Sequence, residues 1–127
     1  MSTAQHTAWH TLPVETLNPL LTRQFVHGTQ SMLARLELKA GCLVPRHAHP
    51  NEQISYILAG ALRFTLGPDP ESGPDGATED IIVRAGETLV IPGNLPHAAL
   101  ALEDSIDIDV FAPPRQDWIT HDDSYLR

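Results

Sequence analysis

The chain contains a single cysteine, Cys42, so no intrachain disulfide can form and nothing demands an oxidising compartment. Basic residues are also scarce, with eight Lys and Arg against sixteen Asp and Glu and a formal net charge of -8. They are scattered. No basic stripe exists to neutralise phosphates or dock on anionic lipid, which argues against nucleic-acid and membrane-surface roles. No apolar run approaches the ~20 residues needed to span a bilayer. Residues 1–10 lack the basic-then-apolar order of a signal peptide, so the expected compartment is the cytoplasm. An anionic small-molecule substrate stays possible, because a metal ion and one well-placed Arg make a local positive site on an acidic protein.

Turn-forming residues are plentiful. Eleven prolines and eight glycines are spread over 127 residues between short apolar runs, a composition of many turns and short strands rather than long helices. A chain of this size is one ordinary domain that can bury a core unaided. The expectation is an all-β single domain over 1–127, with a core barrel at about 21–112 and an N-terminal leader and C-terminal tail packed on it.

Strands are expected at 21–26, ended by His27 and Gly28, and at 32–38, where Met32, Ala34, Leu36 and Leu38 alternate with Leu33, Arg35, Glu37 and Lys39. Runs at 53–58 and 61–66 read as paired strands joined by a tight Ala59-Gly60 hairpin. Residues 67–79, rich in Pro, Gly and acids, read as an exposed, mobile hairpin loop. Four more short strands are expected at 80–83, 88–91, 98–102 and 106–111. Eight or so strands with regular turns match a barrel or jelly roll. Residues 113–127 read as a short helix or a segment lying against the barrel.

His47 and His49 are two apart, so on an extended chain both imidazoles project from one face. Gln53 follows at the start of the next extended run. His97 follows a rigid Pro92-Gly93-Asn94-Leu95-Pro96 segment that can carry a third imidazole in from a distant strand. Three neutral nitrogens and an amide oxygen suit one divalent transition metal (Ni, Zn, Fe, Mn, Co or Cu) and leave coordination positions open. A lone His-x-His is weak evidence, and surface histidines are common; the surrounding pattern decides.

Gly41, five residues, His47-Ala48-His49, three residues, Gln53, six residues, Gly60 resembles the first cupin motif, with Gln where that motif usually has Glu. Gly86, five residues, Pro92, four residues, His97 resembles the second. Asn94 stands where a Gly is usual and tolerates a left-handed turn. Ala101 stands where an Asn usually closes the motif. The resemblance implies a single cupin (jelly-roll) β-barrel with His47, His49, Gln53 and His97 as the metal ligands. A neutral Gln in place of a carboxylate leaves the ion its full double charge, which favours Lewis-acid chemistry over oxygen activation.

The run 106–111 alternates Ile106, Ile108 and Val110 with Asp107, Asp109 and Phe111. Acids on an antiparallel strand ordinarily face solvent; the alternative is that these face the barrel interior beside the metal. The stretches 47–53 and 109–115 resemble KdgF-type pectin-degradation proteins, which open 4,5-unsaturated uronates. That resemblance implies Asp109 and Arg115 as catalytic residues and Phe111 and Arg115 as substrate-binding residues. Arg115, after two prolines on an expected surface turn, could equally pair with an acid of the tail. Tyr56 is a further candidate for the substrate cavity, although a core or edge tyrosine is commoner. Glu52 reads as solvated, Cys42 as packing, and His6, His10, His27 and His121 as surface residues.

The function expected is therefore a metal-dependent lyase or tautomerase acting on an unsaturated uronate or related carboxylated sugar. The alternatives are a dioxygenase or other small-molecule lyase using the same ion, and a non-enzymatic ligand-binding or sensory protein. A homodimer is expected, formed through strand edges.

Overall fold

Period-two alternation shapes most of the computed structural model, which describes residues 3–68 and 78–127. Its strands are β1 (Glu15–Asn18), β2 (Leu21–His27), β3 (Met32–Leu38), β4 (Leu43–His47), β5 (Glu52–Ala59), β6 (Ala61–Leu66), β7 (Glu79–Arg84), β8 (Thr88–Ile91), β9 (His97–Ala101) and β10 (Ser105–Ala112). They form two antiparallel sheets, one ordered β1-β2-β3-β10-β5-β8 and the other β4-β9-β6-β7. The sheets pack face to face around one core that includes Leu21, Met32, Leu36, Ile57, Leu62, Phe64 and Ile91. This is the expected all-β barrel.

The differences from the sequence reading have physical causes. Strands β1 and β4 were not expected. Glu15–Asn18 carries little strand propensity of its own and extends the sheet only because β2 offers it an edge; β4 contains Pro45, tolerated because β4 is itself an edge strand. Nor do 53–58 and 61–66 form a hairpin. At Gly60 the chain crosses from the six-stranded to the four-stranded sheet, and β5 and β6 pair with other partners. Gly60 has φ 85°, and any Cβ there would strike Ser105 and the Asp104 carbonyl. The loop read at 67–79 falls largely on residues 69–77, outside the described residues. Its flanking strands, β6 and β7, do pair antiparallel.

The segment after β10 closes one end of the sandwich. It contains a single helical turn, α1 (Gln116–Ile119), and a 3-10 turn at Ser124–Leu126. Trp118 and Leu126 are buried in the core. The Trp118 ring meets Phe111 edge-on with centroids 5.0 Å apart, and the guanidinium carbons of Arg23 and Arg115 lie 4.5 and 4.7 Å from its centre. Fully buried Arg23 reaches Asp123 at 2.7 Å and Glu15 at 3.1 Å, tying this segment to β2 and β1. The Asn18 amide donates to the Leu126 carbonyl at 2.9 Å.

Candidate metal centre

His47 ends β4 and His97 begins β9, directly opposite one another in the pairing register. Their rings therefore meet across the ladder, with centroids 4.3 Å apart. His49 lies just past β4, with ring centroids 5.5 Å from His47 and 5.0 Å from His97. The 92–96 turn docks against this segment. The Asn94 N–H donates to the His49 carbonyl at 2.7 Å, and Asn94 has φ 68°, the left-handed turn its side chain tolerates. A Cβ on Gly93 would collide with the Pro50 carbonyl, so only glycine permits this approach of the two histidine-bearing segments.

One ligand atom from each of the three histidines lies within 4.8 Å of the others. Three imidazole nitrogens so placed could hold one divalent ion between them. Each Nδ1 is paired with a backbone carbonyl: Pro45 at 2.8 Å for His47, Asn51 at 3.1 Å for His49 and Leu95 at 2.8 Å for His97. A carbonyl only accepts, so each Nδ1 carries the proton and each Nε2 keeps a free lone pair. Burial, with the neighbouring His97, pushes His47 down to about 3; burial, with the Arg115 charge, pushes His49 down to about 4. Burial likewise lowers His97. All three are neutral at pH 7, the form that binds metals.

Two features test whether this set suits a cation. The His97 Nε2 is buried without a partner. The His49 Nε2 lone pair faces the Gln53 Oε1 at 3.1 Å, two acceptors without a proton between them. Gln53 is held in that orientation because its Nε2 donates to Ser55 Oγ at 3.0 Å, and Ser55 in turn donates to Asp109 Oδ1 at 2.6 Å. An orphaned nitrogen and a converging pair of acceptors are what an ion satisfies. The three histidines can hold a divalent metal.

The six-stranded sheet supplies the other wall. Asp109 stands opposite Ser55, Phe111 opposite Gln53 and Asp107 opposite Ile57. All of these face inward, while Ile106 and Ile108 are half-buried and Val110 is exposed. Of the two orientations the sequence leaves open for these acids, the inward one holds: with Phe111 and Trp118 packing inside, the Asp–Phe face of β10 is the core face. Burial and the charge of Asp109 raise the Asp107 carboxyl well above the usual carboxylate range. Burial raises Asp109 too, opposed by bonds from Asp107 and Ser55 and by the Arg115 charge. The two carboxyls interact directly, and of the pair Asp107 is the one pushed furthest toward its neutral form.

Arg115 is not on an exposed turn but 1% exposed. Asn51, which the sequence reading passed over, holds it there by donating to the carbonyls of Pro113 and Pro114 at 2.6 and 3.2 Å. The guanidinium donates from Nε and Nη2 to Asp117 at 2.9 and 2.7 Å, and from Nη2 to the Tyr125 hydroxyl at 2.6 Å. Burial works against its charge, and Asp117 and Tyr125 more than restore it. Tyr56 does not belong to the cavity: it lies on the opposite face of β5 from Gln53 and Ser55, 39% exposed, because strand alternation sends every second side chain outward. Glu52 is exposed and Cys42 buried, as expected.

His47, Gln53, His97, Asp107, Asp109 and Arg115 together line a cavity of about 40 Å³, floored by Leu36, Leu38 and Phe64. That volume admits an ion and a few waters. His47 and Tyr125 are half-buried while the other polar lining residues are buried, so the mouth lies on their side. A larger groove of about 530 Å³, between the β1–β2 turn and the β5 and β10 ends, has no histidine or cysteine in its lining.

Residues 34–111 match the family described as Cupin domain. No curated protein matches the sequence. Among solved structures, KdgF from Halomonas sp. superposes with a TM-score of 0.78 at 27% identity, covering 91% of this chain and 99% of that one. An RmlC-like cupin from Shewanella frigidimarina gives 0.75 at 24%, covering 93% and 99%. Bacillus subtilis oxalate decarboxylase, studied for its Mn(II) centres, gives 0.76 at 18% and covers 95% of this chain but 35% of that one, a likeness of fold alone.

Proposed function

Since the chain belongs to the cupin family, we propose that it is a metal-dependent enzyme that opens the ring of a 4,5-unsaturated uronate or a related small carboxylated sugar. The observation that carries this reading is the buried pair Asp107–Asp109, an acid-base group placed in the same small cavity as His47 and His97 of the three-histidine cluster. A purely structural barrel has no reason to bury two carboxyls against each other, given the cost of desolvating them.

His47, His49 and His97, with Gln53 as fourth ligand, would hold the ion, which when bound supplies Lewis-acid polarisation of a substrate oxygen. The remaining chemistry is a proton transfer. In its carboxylate form Asp109 takes the proton of the hemiacetal hydroxyl as the bond from the anomeric carbon to the ring oxygen breaks. The anomeric carbon becomes an aldehyde and the ring oxygen, with no proton of its own, an enolate. Asp109 then returns the proton to the former enol-ether carbon, giving a ketone, so the reaction is an isomerisation without oxidant. Asp107 donates a hydrogen bond that steadies the charged form of Asp109. Phe111, T-shaped against His49 at 5.7 Å, gives the sugar ring an apolar wall.

The cavity is well below the ~300 Å³ of a preformed small-molecule pocket, so binding a sugar requires its mouth to widen at the His47–Tyr125 side. Loss of the ultraviolet absorbance of the conjugated enol ether tests the reading. Metal-loaded protein should discharge it equally in air and under nitrogen, and Asp109→Asn should slow it by about a hundred-fold or more. If no unsaturated uronate loses its absorbance, the reading fails. Oxygen dependence would favour a dioxygenase instead.

We further propose a homodimer, supported by an apolar row across the outer face of the six-stranded sheet. Register places Val26, Leu33, Val110, Ile54 and Val90 side by side there.

A further inference from the structure

Resting on the reading above, we propose that Tyr125 is a substrate-binding residue, and that its hydroxyl and the Arg115 Nη1 together form the clamp for the substrate carboxylate. Arg115 cannot offer the usual bidentate fork, because Nε and Nη2 are both committed to Asp117, and Nη2 also to Tyr125. Nη1 makes no hydrogen bond among the described residues. One guanidinium nitrogen holds a carboxylate by one oxygen only; the second oxygen needs another donor.

Tyr125 provides it. Its oxygen accepts from Arg115 Nη2 at 2.6 Å and from Trp118 Nε1 at 3.3 Å. With both acceptor positions filled, the phenol can act toward anything else only as a donor, and its own O–H finds no acceptor among the described residues. The ring stands 4.8 Å from the His47 ring, at the half-buried side of the cavity through which a ligand must enter. An incoming carboxylate therefore meets two unspent donors, from Arg115 and Tyr125, beside the metal-binding histidines. Asp117 has the complementary task of fixing the guanidinium plane, itself held below the usual carboxylate range by Arg115 against the effect of burial.

The chain has two tyrosines, Tyr56 and Tyr125, and Tyr56 lies outside the cavity, which provides an internal control. In zinc-loaded protein with carbon-13 at the tyrosine Cζ, titration with D-galacturonate, a saturated uronate, should move the Tyr125 resonance and leave Tyr56 still. The uncharged sugar D-galactose should move neither. Tyr125→Phe should keep one bound zinc per chain and weaken galacturonate binding about ten- to a hundred-fold, the range for a hydrogen bond to a charged group. A Tyr125 resonance that does not respond to the carboxylate overturns the clamp, as does wild-type affinity in Tyr125→Phe. Turnover of an unsaturated uronate with Tyr125 unresponsive overturns the clamp alone. A carboxylate-dependent Tyr125 shift without turnover supports the clamp and overturns the reaction.

Discussion

A histidine whose Nδ1–H is spent on a backbone carbonyl has one nitrogen left, and in His97 that nitrogen is buried with no partner. Leaving such an atom unsatisfied costs roughly 1–3 kcal/mol, which a bound ion recovers. His97→Leu, of similar size, therefore has opposite effects on two properties. Metal affinity should fall by more than the ~10–100-fold typical of losing an outer-shell partner, read by elemental analysis after dialysis against a competing chelator. The metal-free protein should unfold in urea at a midpoint no lower than wild type, because an orphaned polar atom has been removed. A lower midpoint together with undiminished metal binding would mean that His97 serves only the fold.

At the scale of elements, the segment 113–127 is joined to the sandwich by charge as much as by apolar contact. Asp123 is fully buried between Arg23 at 2.7 Å and Arg127 at 3.0 Å. Burial alone would raise its carboxyl, but the two arginines hold it below the ordinary value. The linkage follows from that direction: the unfolded chain binds the proton more readily, near pH 3.9. The stabilisation is therefore complete above about pH 5 and disappears as pH falls through the lower folded value. Asp123→Asn leaves Arg23 buried with only Glu15, and should cost roughly 3 kcal/mol at pH 7, in the range for breaking a buried pair. Urea titrations at pH 7 and pH 3 should show the difference between variant and wild type shrinking at the lower pH. An unchanged difference would remove Asp123 as its source. Since Tyr125 and Arg115 belong to this segment, the same anchor holds one wall of the cavity.

The whole molecule presents an outer sheet face with an apolar row and a net charge of -8. Leu33, Ile54, Val90 and Val110 on that row are between 36% and 57% exposed. Two copies related by a two-fold axis would cover it. Light scattering should give twice the 13.9 kDa of the chain, and Val110→Glu should halve it; a monomeric wild-type mass would remove the dimer. No helix among the described residues is long and apolar enough to cross a membrane.

How much of this could be read beforehand depends on the range of the forces involved. Strand periodicity is local, so β3, β8 and β10 were legible to within a residue or so, and motif spacing placed His47, His49 and His97 together, where the fold brings their ligand atoms within 4.8 Å. The inward face of β10 was not legible. Alternation says that Asp107, Asp109 and Phe111 share a side, but only the packing of Phe111 against Trp118 decides which side is inside. The same holds for β1 and β4, for Gly60 as a crossover rather than a hairpin, and for Tyr56. Tyr125 carried no local signal at all, because what makes it notable is a pair of donors brought to it by folding. The three histidines that opened the question were thus a property of the sequence. The carboxyl pair, the buried Arg115 and the free hydroxyl beside them were settled by tertiary packing, since burial and the pairing of polar groups exist only once distant segments meet.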